Sequence, residues 1–390
     1  MRKISENIFW CGCIDWDRRM FDSLIPLPDG TSYNAYFVAG SEKNALIDTV
    51  DSDHIEKLEK YLSSVEKIDY IISNHSEQDH SGAIPFVLNK YKEAKLICTP
   101  KAKNILSEHL LFDQSRLLCV NDGENISLGN KTLEFIQTPW TNWPETMVTY
   151  LCEDKVLFSC DLFGSHLATT DIFADDQMRV YEAAKRYYAE IMMPFRNHIS
   201  KYLEKLSLYQ INMIAPSHGP IYPNPDFIMN AYKDWVLGNP KNMVTIFYIS
   251  MHGSTKMMVD YLIDELMKRN ISVQRFDLAY SDIGKIAISL VDAGTIILGT
   301  PTVIGGAHPH IVSATYLANI LNPKAKFVSI IGSLGWGGRV VEQLSKLVPN
   351  LKAEFIEPII CKGIPKENDL KLLEKMAETI CEKHKTFVTI

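Results

Sequence analysis

Four potential metal ligands fall close together in this chain: His75, Glu77, Asp79 and His80, in the string His75-Ser76-Glu77-Gln78-Asp79-His80. The string follows the apolar run 70–73, so these side chains leave the end of an expected strand, where a turn into loop can splay them toward one point. Imidazole and carboxylate together suit first-row metals of intermediate softness. Two more candidates occupy equivalent places. Asp161 follows the apolar run 156–159, and His218 follows the run 211–215 in Pro216-Ser217-His218-Gly219. A solvated turn would account for one such histidine, but not for a dense set repeated at three strand ends. These residues point to a metal centre, and no catalytic side chain is singled out beyond its ligands.

A second constellation lies in the C-terminal part. After the apolar run 244–249 come Ser250, Met251, His252, Gly253, Ser254 and Thr255, then an expected helix from about residue 256. Hydroxyls and backbone N–H groups at a helix start form an anion site suited to a terminal phosphate. Two later loops follow strand-like runs: one carries Pro301, Thr302, Val303, Ile304 and Gly305, the other Ser333, Leu334, Gly335, Trp336 and Gly337. All three stand where strands of an open α/β sheet end, which is where such sheets bind ligands. Trp336, set between glycines, offers an aromatic face for stacking on the ring of FMN. A nicotinamide site fits less well, because no acidic residue accompanies a dinucleotide fingerprint.

The elements that must position these residues fall into two groups. A chain of 390 residues exceeds what one ordinary core organises, so two domains are expected. Up to about residue 160, short apolar runs at 33–38, 45–48, 70–73, 95–98, 133–136 and 156–159 read as strands, with amphipathic helices at 55–62 and 83–91 between some of them. One longer helical segment is expected over about 178–208. The Pro-, Gly- and Asn-rich stretch 216–240 places the boundary at its end, giving domains 1–240 and 241–390. Beyond it, runs at 244–249, 272–276, 295–299, 327–331 and 354–360 alternate with helical segments long enough for parallel crossovers, as in a doubly wound flavodoxin-like sheet.

Composition narrows the class further. Hydrophobic residues make up 46% and charged residues 22%, and the net charge of -7 is spread without a basic block. Nucleic-acid binding and attachment to anionic membranes are therefore not expected. The N-terminus lacks an apolar leader and no run approaches a membrane span, so a cytoplasmic location is expected. The eight cysteines are scattered without a disulfide or Cys-x-x-Cys pattern, and reduced, mostly buried thiols are expected.

The metal string resembles that of the metallo-β-lactamase superfamily, whose hydrolases usually carry His-x-His-x-Asp-His and zinc. Glu77 stands here for the second histidine, and three carboxylates form a harder set that favours iron. Over essentially the whole chain the sequence resembles the flavodiiron proteins. The strings that carry this are Ile14-Asp15-Trp16-Asp17-Arg18-Arg19, Gly30-Thr31-Ser32-Tyr33-Asn34-Ala35-Tyr36, the His75–His80 motif, Asp161-Leu162-Phe163-Gly164, Ser217-His218-Gly219-Pro220 and the three flavin loops.

The resemblance implies an N-terminal αββα metallo-β-lactamase-like sandwich and a C-terminal flavodoxin-like domain. It implies FMN, two iron ions, and reduction of O2 to water or of NO to N2O. Electrons would come from a rubredoxin-like donor or reduced coenzyme F420, and the chains would form head-to-tail homodimers, with tetramers left open. It assigns His75 and Glu77 to one iron, Asp79, His80 and His218 to the other, and Asp161 to both.

One departure stands out: the family's usual histidine before Trp-Pro is Asn142 here. Three outcomes stay open: weak or water-mediated ligation in a working site, a half-filled or zinc-bearing site, and replacement by His166. The rival functions are an FMN electron carrier with a degenerate metal site and a metallo-β-lactamase-type hydrolase.

Overall fold

The computed structural model describes residues 1–387. Contacts divide the chain into one unit, Met1–Val236, and a second from Leu237 onward.

In the first unit, the strands Arg2–Ser5, Ile8–Trp10, Tyr36–Ala39, Asn44–Ile47, Tyr70–Ile72, Lys95–Cys98 and Leu117–Cys119 form, in that order, a seven-stranded mixed sheet. A five-stranded sheet runs Asn125–Ser127, Thr132–Gln137, Met147–Leu151, Val156–Cys160 and Met213–Pro216. Successive residues of a strand point to opposite faces, and both faces of the first sheet are apolar. Ile47, Ile72 and Ile97 pack with Phe135, Met147 and Phe158 of the second sheet. Their neighbours Leu46, Ile71 and Leu96 instead pack with Leu58, Leu62, Val87 and Leu106, which lie on helices Ile55–Leu62, Ile84–Lys90 and Pro100–His109. The result is the αββα layering that the sequence led us to expect.

Two expected elements are interrupted, each for a local reason. The run 33–38 divides into Thr31–Tyr33 and Tyr36–Ala39. Between them the backbone N–H of Asn34 donates to Ser217 O, and its side-chain amide donates to Pro216 O and Gly219 O, so these groups hold a neighbouring loop instead of a ladder. The segment 178–208 is two helices, Gln177–Tyr187 and Arg196–Leu206, joined by a π turn at Tyr188–Met192 and a 3-10 turn at Met193–Phe195. Pro194 has no N–H for an α-helical bond, so the helix cannot run through it.

The second unit has the strand order Ser272–Asp277, Met243–Tyr248, Thr295–Val303, Phe327–Leu334, with Glu354–Phe355 and Ile359–Lys362 both against the last. These pairs are all parallel. This is the 2-1-3-4-5 order of flavodoxin-like sheets. The expected strand 354–360 is broken at Glu357-Pro358, where the proline cannot donate to the ladder. No helix of the described residues is long and apolar enough to cross a membrane. All eight cysteines are unpaired; five are buried, Cys119 is exposed, and Cys152 and Cys381 are half-buried.

Candidate metal centre and flavin cradle

The first sheet and the second sheet deliver the ligands from three strand ends. After Tyr70–Ile72 the chain turns through His75 into a single helical turn, Gln78–Ser81. That turn is pinned from both sides: Ser81 Oγ donates to Ser76 O at 2.8 Å, and Thr49 donates to His80 O through its N–H at 2.9 Å and its hydroxyl at 2.6 Å. Asp161 follows Val156–Cys160, and His218 follows Met213–Pro216. The His218 loop closes at Gly219, whose φ is +76°; an added Cβ there would meet Ser165 Oγ at 2.0 Å, so only glycine fits.

All six expected ligands converge. Asp79, His80 and His218 form one cluster and His75, Glu77 and Asp161 another, each with ligand atoms within 4.8 Å of one another. Asp161 spans both. Its Oδ1 lies 3.1 Å from His80 Nε2 and 3.4 Å from His218 Nε2, and its Oδ2 lies 3.5 Å from His75 Nε2. In the second cluster His75 Nε2 is 3.0 Å from Glu77 Oε2.

The orienting bonds lie on the far ring nitrogens. His75 Nδ1 is 2.8 Å from Glu145 Oε1 and His218 Nδ1 is 2.8 Å from Ser32 O, so both Nδ1 atoms donate outward and both Nε2 atoms face the cluster. Glu145 is fully buried and also accepts from Ser76 N–H at 3.0 Å. Its own backbone carbonyl accepts from Thr99 Oγ1 at 2.9 Å.

The residues fit a pair of cations. Both oxygens of Asp79, Oδ1 of Asp161 and both ring nitrogens of His80 are buried without a hydrogen-bond partner, although Asp79, Asp161, His80 and His218 approach one another to 3.1–3.4 Å. Buried polar atoms left this way are costly, and a metal ion satisfies them together. Electrostatics agrees. Burial works against a charged His80, but Asp79 and Asp161 outweigh it and push the imidazole up to about 9. For His75, burial is likewise outweighed by hydrogen bonds to Glu145 and Glu77, and its pKa rises well above the usual value. Burial opposes ionisation of Asp161, yet the imidazoles of His80, His75 and His218 hold its carboxyl well below the ordinary range. The site attracts positive charge wherever its nitrogens and oxygens meet.

Asn142 enters the second cluster with a left-handed backbone, φ +81°, and its Nδ2 donates to Glu77 Oε2 at 3.3 Å and to Asp161 Oδ2 at 3.2 Å. His166 does not replace it. Its Nδ1 bonds the Thr31 hydroxyl at 2.9 Å, its ring packs 4.8 Å from that of His218, and burial followed by the His218 charge depresses its pKa well below the usual value.

Sequence reasoning missed Glu145, Tyr187 and Cys160. Tyr187 is buried with its ring centroid 4.8 Å from that of His166 and 5.8 Å from that of His218, and burial, then the Asp161 charge, raises its pKa well above normal. Cys160 has its thiol beside His80 and Asp161, with its pKa raised well above normal by burial. Of the three, only Glu145 carried a signal: it sits three residues after Asn142, just before an apolar strand.

In the second unit, Ser250, Met251, His252, Ser254, Thr255, Pro301, Thr302, Ser333, Leu334 and Gly335 line one cavity of about 220 Å³, joined by Gly363, which sequence reasoning did not pick. Ser250 Oγ accepts from the N–H groups of Gly253 at 3.2 Å and Lys256 at 3.3 Å, shaping the turn into helix Ser254–Lys268. Thr255 Oγ1 lies 3.3 Å from Ser333 Oγ. Gly253, Val303, Ile304, Gly305, Trp336 and Gly337 do not line the cavity; Ile304 and Trp336 are 96% and 82% exposed, free to be covered.

The chain is similar to known proteins over essentially its whole length. Residues 31–219 match a family described as ODP family beta lactamase. The chain is 34% identical to a nitric oxide reductase of Moorella thermoacetica over 393 aligned positions, covering 97% of this chain and 98% of that protein. The structure is similar to rubredoxin oxygen:oxidoreductase from the anaerobe Desulfovibrio gigas, with TM-score 0.95, 30% identity and complete coverage of both chains. It is also similar to the flavodiiron protein from Giardia intestinalis, with TM-score 0.91, 28% identity and 98% of each chain covered.

Proposed function

The chain belongs to the flavodiiron protein family, and from that premise we propose that it reduces O2 to water or NO to N2O with electrons relayed by FMN. The observation that carries the reading is the pair of buried ligand clusters sharing Asp161. The balances are O2 + 4 electrons + 4 protons giving two waters, and two NO + 2 electrons + 2 protons giving N2O and one water. When bound, two iron ions supply the redox site for the diatomic and FMN supplies electrons singly or in pairs.

The chain's own groups hold and orient. Asp79, His80 and His218 would bind one ion, His75 and Glu77 the other, and Asp161 both. Glu145 and Ser32 hold His75 and His218 through Nδ1, which directs the Nε2 of each inward. Burial of Asp79, His80, His218, His75 and Asp161 lowers the local dielectric and strengthens each electrostatic contact, while Glu77 is half-buried. The Tyr187 hydroxyl is held neutral by burial and by the nearby Asp161 charge.

In the second unit the Ser250–Thr255 turn would receive the FMN phosphate at the start of helix Ser254–Lys268, and the loops at 301–305 and 333–337 would flank the ring. The reading includes a rubredoxin-like donor or reduced coenzyme F420 and a head-to-tail pair of chains.

The test begins with metal and flavin content of protein expressed with ample iron. The flavin is then reduced anaerobically and exposed to O2 and to NO in separate cells. About two irons and one FMN per chain with rapid flavin reoxidation are expected on the family's ligand count. Full turnover by iron-free protein would overturn the reading. FMN that reduces but does not turn over on either gas would make the chain an electron carrier.

A further inference from the structure

We infer that the two metal positions are unequal by design of their ligands, and that Asn142 makes the His75–Glu77 position the weak, exchangeable one by donating hydrogen bonds there instead of ligating. This rests on the dinuclear reading above and goes beyond it.

The donors differ in number. The Asp79–His80–His218 cluster with Asp161 Oδ1 offers two imidazoles and two carboxylates. The other offers one imidazole, His75, with Glu77 and Asp161 Oδ2. Asn142 fills the remaining corner, and its Nδ2 points at the same two oxygens, Glu77 Oε2 and Asp161 Oδ2, that His75 Nε2 faces. An amide N–H is a donor only, so in this orientation it has no lone pair for a metal. Turning the amide over would offer a neutral oxygen, a poorer ligand than imidazole or carboxylate, and would aim that oxygen at the two carboxylates when no cation is present.

The backbone favours what is seen. Asn142 sits at φ +81°, a region that asparagine tolerates better than most residues, and Thr141 and Trp143 on either side pair across the bend. Trp143 packs edge-on to His75 with ring centroids 5.2 Å apart, which fixes the bend against the ligand itself. The bend thereby sets the Asn142 backbone beside the second cluster, where its side chain reaches Glu77 and Asp161. With three protein ligands the weak position keeps a coordination place for solvent or a small exogenous ligand, whereas the other position is enclosed by four.

The experiment titrates Co2+ into chelator-treated full-length protein under anaerobic conditions, following d–d absorption and dialysis-based metal counts. Wild type is expected to fill in two steps whose affinities differ by at least about tenfold, the size that even an outer partner of a metal ligand carries. N142H, whose side chain also tolerates positive φ, is expected to tighten the weaker step by a similar factor and leave the tighter one unchanged. N142G, which is relaxed at that φ, is expected to leave the weaker step within about threefold of wild type, the size of one ordinary hydrogen bond.

Equal affinities in wild type, no tightening in N142H, or loss of more than about tenfold in N142G would overturn the inference and leave the dinuclear reading standing. Saturation at a single ion per wild-type chain would overturn that reading and the inference with it.

Discussion

Asn142 and Asp161 meet at 3.2 Å, amide Nδ2 to carboxylate Oδ2, at the one carboxylate that both metal clusters share. The shared residue ties the two positions together although only one of them contains the amide. D161N should therefore remove both ions, since the shared carboxylate becomes a neutral amide that turns its oxygen to one cluster and a buried N–H donor to the other. Metal analysis of D161N is expected to find less than about 0.3 ion per chain, while H218A, which strips a ligand from one cluster only, should retain the His75–Glu77 ion in part. Retention of two ions by D161N would mean that the bridge is not part of the binding geometry.

Glu145 gives a second test, because it touches no expected metal position. It holds His75 by Nδ1 at 2.8 Å, and the same oxygen caps Ser76 N–H. Burial opposes its ionisation, but the hydrogen bond to His75 outweighs this and keeps its carboxyl below the usual glutamate value. E145Q keeps the size and loses the charge. Metal affinity at the His75 position is expected to fall about 10-fold with the fold intact, as outer partners of metal-bound histidines do. Isothermal titration beside circular dichroism separates this from unfolding.

The ease with which these residues could be read from sequence varied with how local their signal was. His75, Glu77, Asp79 and His80 are adjacent in the chain, and Asp161 and His218 each close an apolar strand, so type and spacing exposed them. Glu145 reaches His75 across 70 positions, and its one local signal, a place three residues after Asn142, does not point to His75. The strand Met147–Leu151 after it was not anticipated either, since all five residues are buried and no alternation marks it. The break at Asn34 was hidden for a tertiary reason: its polar groups serve the His218 loop, which only the folded sheet brings near. In the second unit the ends of the first, third and fourth strands were legible, while Gly363 was not, because the fifth strand is divided by Pro358 and its end falls later than the apolar run suggests.

A pH dependence belongs to the second unit. His384 is buried, its Nδ1 donates to Asn242 Oδ1 at 2.8 Å, and its Nε2 accepts from the Thr295 hydroxyl at 2.7 Å. Burial lowers its pKa to about 4 from 6.5. The unfolded chain takes up this proton below about 6.5 and the folded chain only below about 4, so the contribution is complete above pH 6.5 and is lost as pH falls toward 4. The loss amounts to about 3 kcal/mol. Urea unfolding of wild type and H384N between pH 7 and 4.5 should show the wild-type midpoint falling more steeply; parallel slopes would remove His384 as the cause.

The flavin cradle supplies the last test. Ser250 Oγ accepts from Gly253 N–H and Lys256 N–H, and those two bonds set the turn at the start of helix Ser254–Lys268. S250A releases both. The backbone N–H groups that would face a phosphate then lose their arrangement, while the strand Met243–Tyr248 before them keeps all its parallel pairs with both neighbours. FMN affinity, read by quenching of flavin fluorescence, is expected to weaken about 3- to 10-fold, the worth of one to two ordinary hydrogen bonds. Riboflavin, which lacks the phosphate, is expected to bind wild type and S250A alike. An equal loss for both flavins would place the effect on the ring and move the phosphate away from the Ser250–Thr255 turn.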